Sequence, residues 1–222
     1  LYWQLNDCWP VASWSSIDYY GRWKALHYMA RRFYAPLLIS GLEDGEGSTV
    51  EIHVTSDKLK PVTGEVIWKL TDVSGKMIKT GQREIEIPAS SNTLVETLYL
   101  GEYVAEYGSR NLLLWLELKV DGETVSDNLV AFKKPKHMEL QEPGISYQVE
   151  KITDNCFRVF LEAEKPALWT WLELKDYRAR YSDNFFHLYP GKKQAVLVET
   201  EENLSVAVLK ENLVIRSLID TY

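Results

Sequence analysis

The chain has 222 residues, with 25 basic against 32 acidic side chains and a formal charge of −7. At 45% hydrophobic and 26% charged residues its balance is that of a globular protein, not of a disordered tail or a fibrous repeat. The acidic balance argues against the basic stripe of a general nucleic-acid binder, no apolar run approaches the ~20 residues of a bilayer helix, and two cysteines, Cys8 and Cys156, are too few for a disulfide scaffold and lack metal-ligand spacing.

The first 40 residues differ from the rest. They open on Leu1-Tyr2-Trp3 with no initiator Met or signal peptide, and read as a cut into a longer chain. Four of the eight tryptophans (Trp3, Trp9, Trp14 and Trp23) fall here, and the segment holds four basic and two acidic side chains, so the remainder is the acidic part. Residues 1–6 read as a short strand with Leu1, Trp3 and Leu5 on one face. A loop follows over residues 7–16. From Asp18, placed as the N-cap, to Tyr34 the spacing of Trp23, Leu26, Ala30, Phe33 and Tyr34 predicts a helix, with Arg31 and Arg32 in its last turn and Pro36 ending it. The opening is thus expected to be one βα unit.

Residues 41–48 form a polar, Gly-rich linker. Alternating runs then predict strands over 50–55, 64–71, 82–87, 93–100, 112–120 and 124–132, punctuated by Ser74-Gly75 and by Asp121-Gly122, a hairpin signal. Residues 133–144, rich in Pro and charge, read as a second linker. Strands resume over 146–152, 156–163, 168–175, 194–199, 206–209 and 213–219. The fold class is therefore mainly β: two tandem immunoglobulin-like β-sandwiches, at 41–135 and 136–222, preceded by a βα unit over 1–40. The word Trp-Leu-Glu-Leu-Lys occurs at 115–119 and 171–175, and Ser-Asp-Asn at 126–128 and 182–184. The two copies sit at different points of their domains, so recurring strand–turn–strand chemistry accounts for them better than duplication.

A lone βα unit cannot cover both faces of its strand, so its tryptophans are expected to stay partly wet and the unit to belong to a larger α/β domain. In a (β/α)8 barrel the C-terminal ends of the strands build the active face. Tryptophan beside Asn6 and Asp7 suits a sugar, because indole faces stack on pyranose C–H groups while amides and carboxylates take the hydroxyls. Packing of the same aromatics into a core is the other reading. Elsewhere, His27 reads as a packing or surface residue, His53, His137 and His187 form no metal constellation, and Glu43, Asp44 and Glu46 lack the ordered spacing of a calcium loop. Ser15 and Ser16 have no nucleophile elbow around them. Trp169 and Trp171, at i and i+2, read as core or interdomain packing ahead of a carbohydrate platform. No cofactor and no metal are expected.

The stretches Tyr2-Trp3-Gln4-Leu5-Asn6-Asp7-Cys8-Trp9-Pro10 and Ser13-Trp14-Ser15-Ser16-Ile17-Asp18-Tyr19-Tyr20-Gly21-Arg22-Trp23-Lys24-Ala25-Leu26-His27-Tyr28 strongly resemble the β-mannosidases of glycoside hydrolase family 2. The match falls on the last strand and helix of their catalytic barrel. Tyr181-Ser182-Asp183-Asn184-Phe185-Phe186 and Pro190-Gly191 resemble their terminal domain. The resemblance implies a retaining exo-hydrolase acting on terminal β-linked mannose, with two glutamates about 5–5.5 Å apart. It places both upstream of Leu1, so no catalytic residue is assigned and this piece is expected to be inactive alone. Trp3 matches a tryptophan on the floor of the mannose subsite, and Asp7 and Trp9 are candidates for the pocket rim. A β-mannoside is the expected partner, with no nucleic acid and no membrane, and the isolated piece is expected to self-associate. Related exo-glucosaminidases, a free carbohydrate-binding module and a purely structural β-sandwich stand as alternatives. The compartment stays open, an extracytoplasmic one such as the periplasm included.

Overall fold

The computed structural model describes residues 2–44 and 48–222. Leu1 of the expected first strand, residues 45–47 of the expected linker, and with them Glu46 of the acidic loop, lie outside the described residues. The chain divides into two compact units, Arg32–Gln141 and a second composed of Leu1–Arg31 with Glu142–Tyr222.

The Arg32–Gln141 unit is an antiparallel sandwich. One sheet has the order β1-β2-β5, with β1 Leu37–Glu43, β2 Thr49–Ser56 and β5 Ser91–Tyr99. The other runs β4-β3-β6-β7, with β3 Val62–Asp72, β4 Met77–Ile87, β6 Leu112–Val120 and β7 Glu123–Ala131. The pleat explains the alternation: Val50, Ile52 and Val54 point inward from β2 and Val66, Trp68 and Leu70 from β3, all buried in one core with Leu112, Leu114, Leu116 and Leu118 of β6. Asp121 and Gly122, both at positive φ, make the tight β6–β7 turn that this dipeptide favours. Two features differ from the sequence reading. The expected linker begins inside β1, which pairs along its whole length with β2 (Leu37↔Ser56 to Glu43↔Val50). A seven-residue helix, α2, Gly101–Tyr107, follows β5 and packs Tyr103, Val104 and Tyr107 against the core.

The Glu142–Tyr222 part of the other unit is a second antiparallel sandwich. Its sheets are β12-β10-β14 and β11-β13-β9-β8, built from β8 Ser146–Lys151, β9 Cys156–Glu162, β10 Ala167–Leu174, β11 Ala179–Tyr181, β12 Phe186–Leu188, β13 Gln194–Thr200 and β14 Leu213–Arg216. Phe157, Val159 and Leu161 face Leu172, Leu174, Phe186 and Leu188 across its core. The predicted strand at 206–209 is instead the start of a helix, α3, Val206–Asn212, because the Ser205 hydroxyl caps it by accepting the Val208 N–H and Leu209 supplies its buried face.

The two Ser-Asp-Asn words differ in role. Asn128 stands opposite Leu116 in the regular β6–β7 ladder. Asn184 lies beyond the last ladder pair of β10 and β12, Thr170↔Phe186, next to Phe185 at φ 55°, and its side chain bonds the Leu172 backbone: Leu172 N–H donates to Asn184 Oδ1 at 2.7 Å and Asn184 Nδ2 donates to Leu172 O at 2.9 Å.

In residues 2–24 the expected strand is reduced to isolated bridges, Asn6↔Ile17 (parallel) and Ile17↔Trp23 (antiparallel). The helix, α1, Ala25–Phe33, is shorter than its spacing predicts. Asp18, placed as its cap, instead closes a turn in which Oδ1 accepts the N–H groups of Tyr20 and Arg22, and Gly21 takes φ 81°. The Trp3–Gln4 peptide is cis.

Candidate functional site

The segment 2–31 is held to the sandwich of its own unit through α1. Tyr28, 4% exposed, meets Phe185 at 6.0 Å between ring centroids, and Phe185 stacks on Trp171 at 5.8 Å with planes 12° apart. Arg31 donates to Ser182 O at 2.7 Å and lies 3.5 Å from the Asp183 carboxylate. The resemblance-bearing motif 181–186 is therefore the seat of α1. Trp171 is engaged with Phe185, and Trp169, at φ 46°, packs against His187, whose Nδ1 accepts its N–H. Each of these two tryptophans carries a ring partner.

Burial is the main reason the Tyr28 hydroxyl is pushed up to about 12, and the nearby Asp183 charge adds to it while Arg31 opposes it. Because the folded value lies above that of a free tyrosine, near 10, the stability it lends is whole below that pH. It is lost as pH rises toward about 12. Amide exchange in α1 is expected to accelerate over this window together with a rise in tyrosinate absorbance. In Tyr28→Phe that acceleration should shrink; an unchanged profile would separate Tyr28 from the docking of α1.

The tryptophans of this segment are largely exposed. Trp3 is 73% exposed, Trp9 66%, Trp14 69% and Trp23 46%. An apolar surface of this size on one short segment is the kind that another domain or a ligand covers. Of the residues expected to bind substrate, Trp3 and Trp9 thus present their indoles to solvent. Asp7 does not: it is 4% exposed, and its carboxylate accepts the Lys24 ammonium at 2.8 Å and the Ser13 hydroxyl. Those two donors hold it below the usual carboxylate range. Sequence reasoning missed Lys24, Ser13 and Ser15, because their partners lie six to seventeen residues away across an irregular loop with no periodicity to reveal them. Beneath the loop, the Ser16 hydroxyl donates to Leu5 O at 2.9 Å and lies 3.2 Å from His27 Nδ1, whose ring rests on Trp23. His27 thus combines a ring contact with Trp23 and a hydrogen bond with Ser16.

Cys8 and Cys156 are both free thiols. Among the described residues no three His, Cys, Asp or Glu side chains gather into a metal-holding group, and no helix is long and apolar enough to cross a membrane.

Comparison with known proteins bears on what the exposed tryptophans are for. Residues 48–137 match the family described as mannosidase Ig/CBM-like domain, and residues 140–221 match an Ig-fold domain family. A β-mannosidase A of Aspergillus terreus is 30% identical over 99% of this chain and 25% of its own length. The crystal structure of a β-D-mannosidase from Dictyoglomus thermophilum superposes with a TM-score of 0.81 at 26% identity, over 97% of this chain and 25% of that one. An exo-chitosanase of Amycolatopsis orientalis shares the fold, with a TM-score of 0.69 at 17% identity over 98% of this chain and 29% of its own. The chain spans about a quarter of the length of the β-mannosidases it matches.

Proposed function

Because this chain belongs to the β-mannosidases of glycoside hydrolase family 2, as their C-terminal portion, we propose that the polypeptide carrying it is a retaining exo-β-mannosidase. Its reaction is removal of terminal β-linked mannose from the non-reducing end of a β-mannoside. In this reading residues up to about 36 are the last βα unit of a (β/α)8 barrel, and the two sandwiches follow it. The acid/base and nucleophile are glutamates of the barrel outside this chain, about 5–5.5 Å apart as double displacement requires.

The observation that carries the proposal is the exposure of Trp3, Trp9, Trp14 and Trp23 on a segment whose residues resemble the last barrel strand and helix. A buried sugar subsite needs such flat apolar walls beside a few polar groups. Trp3 is assigned to the floor of the mannose subsite and Trp9 to its rim. The sandwich motif at 181–186 supports α1 from below and so fixes the segment that carries both.

The test is hydrolysis by the intact polypeptide of p-nitrophenyl β-mannoside against p-nitrophenyl β-glucosaminide. Turnover of the mannoside with retention of configuration in the first product is expected, and none from the 222-residue chain by itself. Preference for the glucosaminide would move the protein to the exo-glucosaminidases. Hydrolysis of neither, with saturable binding of manno-oligosaccharide, would make it a carbohydrate-binding module.

A further inference from the structure

We propose that Lys24 and Asp7 form a clamp that positions the loop bearing Trp9 and Trp14, so that Asp7 acts on the sugar site through that loop and not as a ligand of the sugar. The proposal rests on the sugar-site reading above. The Asp7 side chain is 1% exposed, and its two oxygens are taken by Lys24 Nζ at 2.8 Å and by the Ser13 hydroxyl. Its N–H donates to Ile17 O at 3.0 Å. An ammonium has three hydrogens to donate, and that of Lys24 has three acceptors: Asp7 Oδ2, Ser15 Oγ at 2.7 Å and Ser13 O at 3.4 Å.

The ties fall at residues 7, 13 and 15 of one loop. Trp9 lies on the span between the first two and Trp14 between the last two, and both indoles are exposed. No regular secondary structure holds these residues, so the charge pair does what a strand ladder would do elsewhere. The Lys24 N–H completes the tie by donating to Ser16 O at 2.9 Å. The Asp7 carboxylate, its side chain 1% exposed, has no free face to offer a sugar hydroxyl. Removing Lys24 leaves the buried Asp7 carboxylate without its cation, which is strongly unfavourable, and removing Asp7 takes away the acceptor that Lys24 and Ser13 share, so either change should release the loop.

The test uses the intact polypeptide and compares wild type with Asp7→Asn, Lys24→Met, the double variant and the milder Ser13→Ala. KM for p-nitrophenyl β-mannoside should rise about tenfold in each charge variant, and about threefold in Ser13→Ala, with kcat moved far less, because what is lost is binding shared by ground and transition states. The double variant should be no worse than the worse single to within about threefold, since both residues act through one contact. Amides of residues 8–17 should exchange faster in every variant. Multiplying losses in the double variant, or a KM that rises in Asp7→Asn and stays put in Lys24→Met and Ser13→Ala, would show Asp7 to be a sugar ligand and overturn the clamp. If the wild-type polypeptide leaves the mannoside intact, the functional reading fails, and loop amides unchanged in Lys24→Met would reject the clamp independently.

Discussion

Trp3→Ala in the intact polypeptide is expected to lower kcat/KM for aryl β-mannosides by at least about 30-fold. An aromatic anchor in a desolvated pocket contributes about 2 kcal/mol or more to binding, and each 1.4 kcal/mol is about tenfold. Trp3 is 73% exposed here, so the substitution opens no cavity in either sandwich core. The melting temperature of the 222-residue chain should therefore be nearly unchanged while activity of the intact protein falls. Trp3→Phe should keep part of the stacking surface and part of the activity. A kcat/KM within threefold of wild type in Trp3→Ala would remove this indole from the subsite.

The largest effect on stability is expected at Trp68. Its indole is 5% exposed, its Nε1 donates to Glu96 Oε2 at 3.1 Å, and a Cβ added at Gly81 on the paired strand would sit 2.6 Å from its ring. The first sandwich is thus shaped around this side chain, with glycine kept opposite it to leave room. Trp68→Ala should destabilise the chain by about 3–5 kcal/mol, the sum of lost transfer energy and a cavity that the β-sheets cannot close. Leu59→Ala, at an 89% exposed site, should change stability by less than about 0.5 kcal/mol. Denaturant unfolding of the two variants side by side gives the comparison. A loss below about 1 kcal/mol at Trp68 would mean that the core repacks freely.

Most of the two β-sandwiches was legible from period-two alternation, because strands such as β3 and β6 bury one face and the pattern is imposed residue by residue. Several places were not, among them β11 and β12, three residues each and too short for an alternation to show. The β1 strand hides behind Gly41, whose position reads as linker; the structure keeps glycine there because a Cβ would come within 2.5 Å of Val130. The α2 and α3 helices are seven residues each, too short for a 3.6-residue period to stand out, and α3 is set by the Ser205 cap and by tertiary burial of Leu209. The opening strand was read from alternation at residues 1–6, but a parallel strand needs neighbours on both sides, and among the described residues this segment forms isolated bridges.

Of the site, the exposure of the tryptophans followed from their crowding into a segment too small to bury them. The clamp of Asp7, Ser13, Ser15 and Lys24 did not, since nothing local announces an ion pair across 17 residues of irregular chain. The assignment of Asp7 to the pocket rim rested on the resemblance and on its place after the last barrel strand, neither of which shows where the side chain turns. The side chain's burial against Lys24 is what turns it into a support for the loop.

The central claim is that the exposed indoles of this segment form the wall of a mannose subsite. It is tested most directly by a crystal structure of the intact polypeptide with a mannose-configured inhibitor bound. The account predicts the sugar ring stacked on the Trp3 indole at about 4 Å, with Trp9 at the edge of the pocket and the Asp7 carboxylate still turned inward on Lys24. An inhibitor bound away from residues 2–23, with those indoles packed against protein alone, would contradict it and leave the segment a purely structural seam.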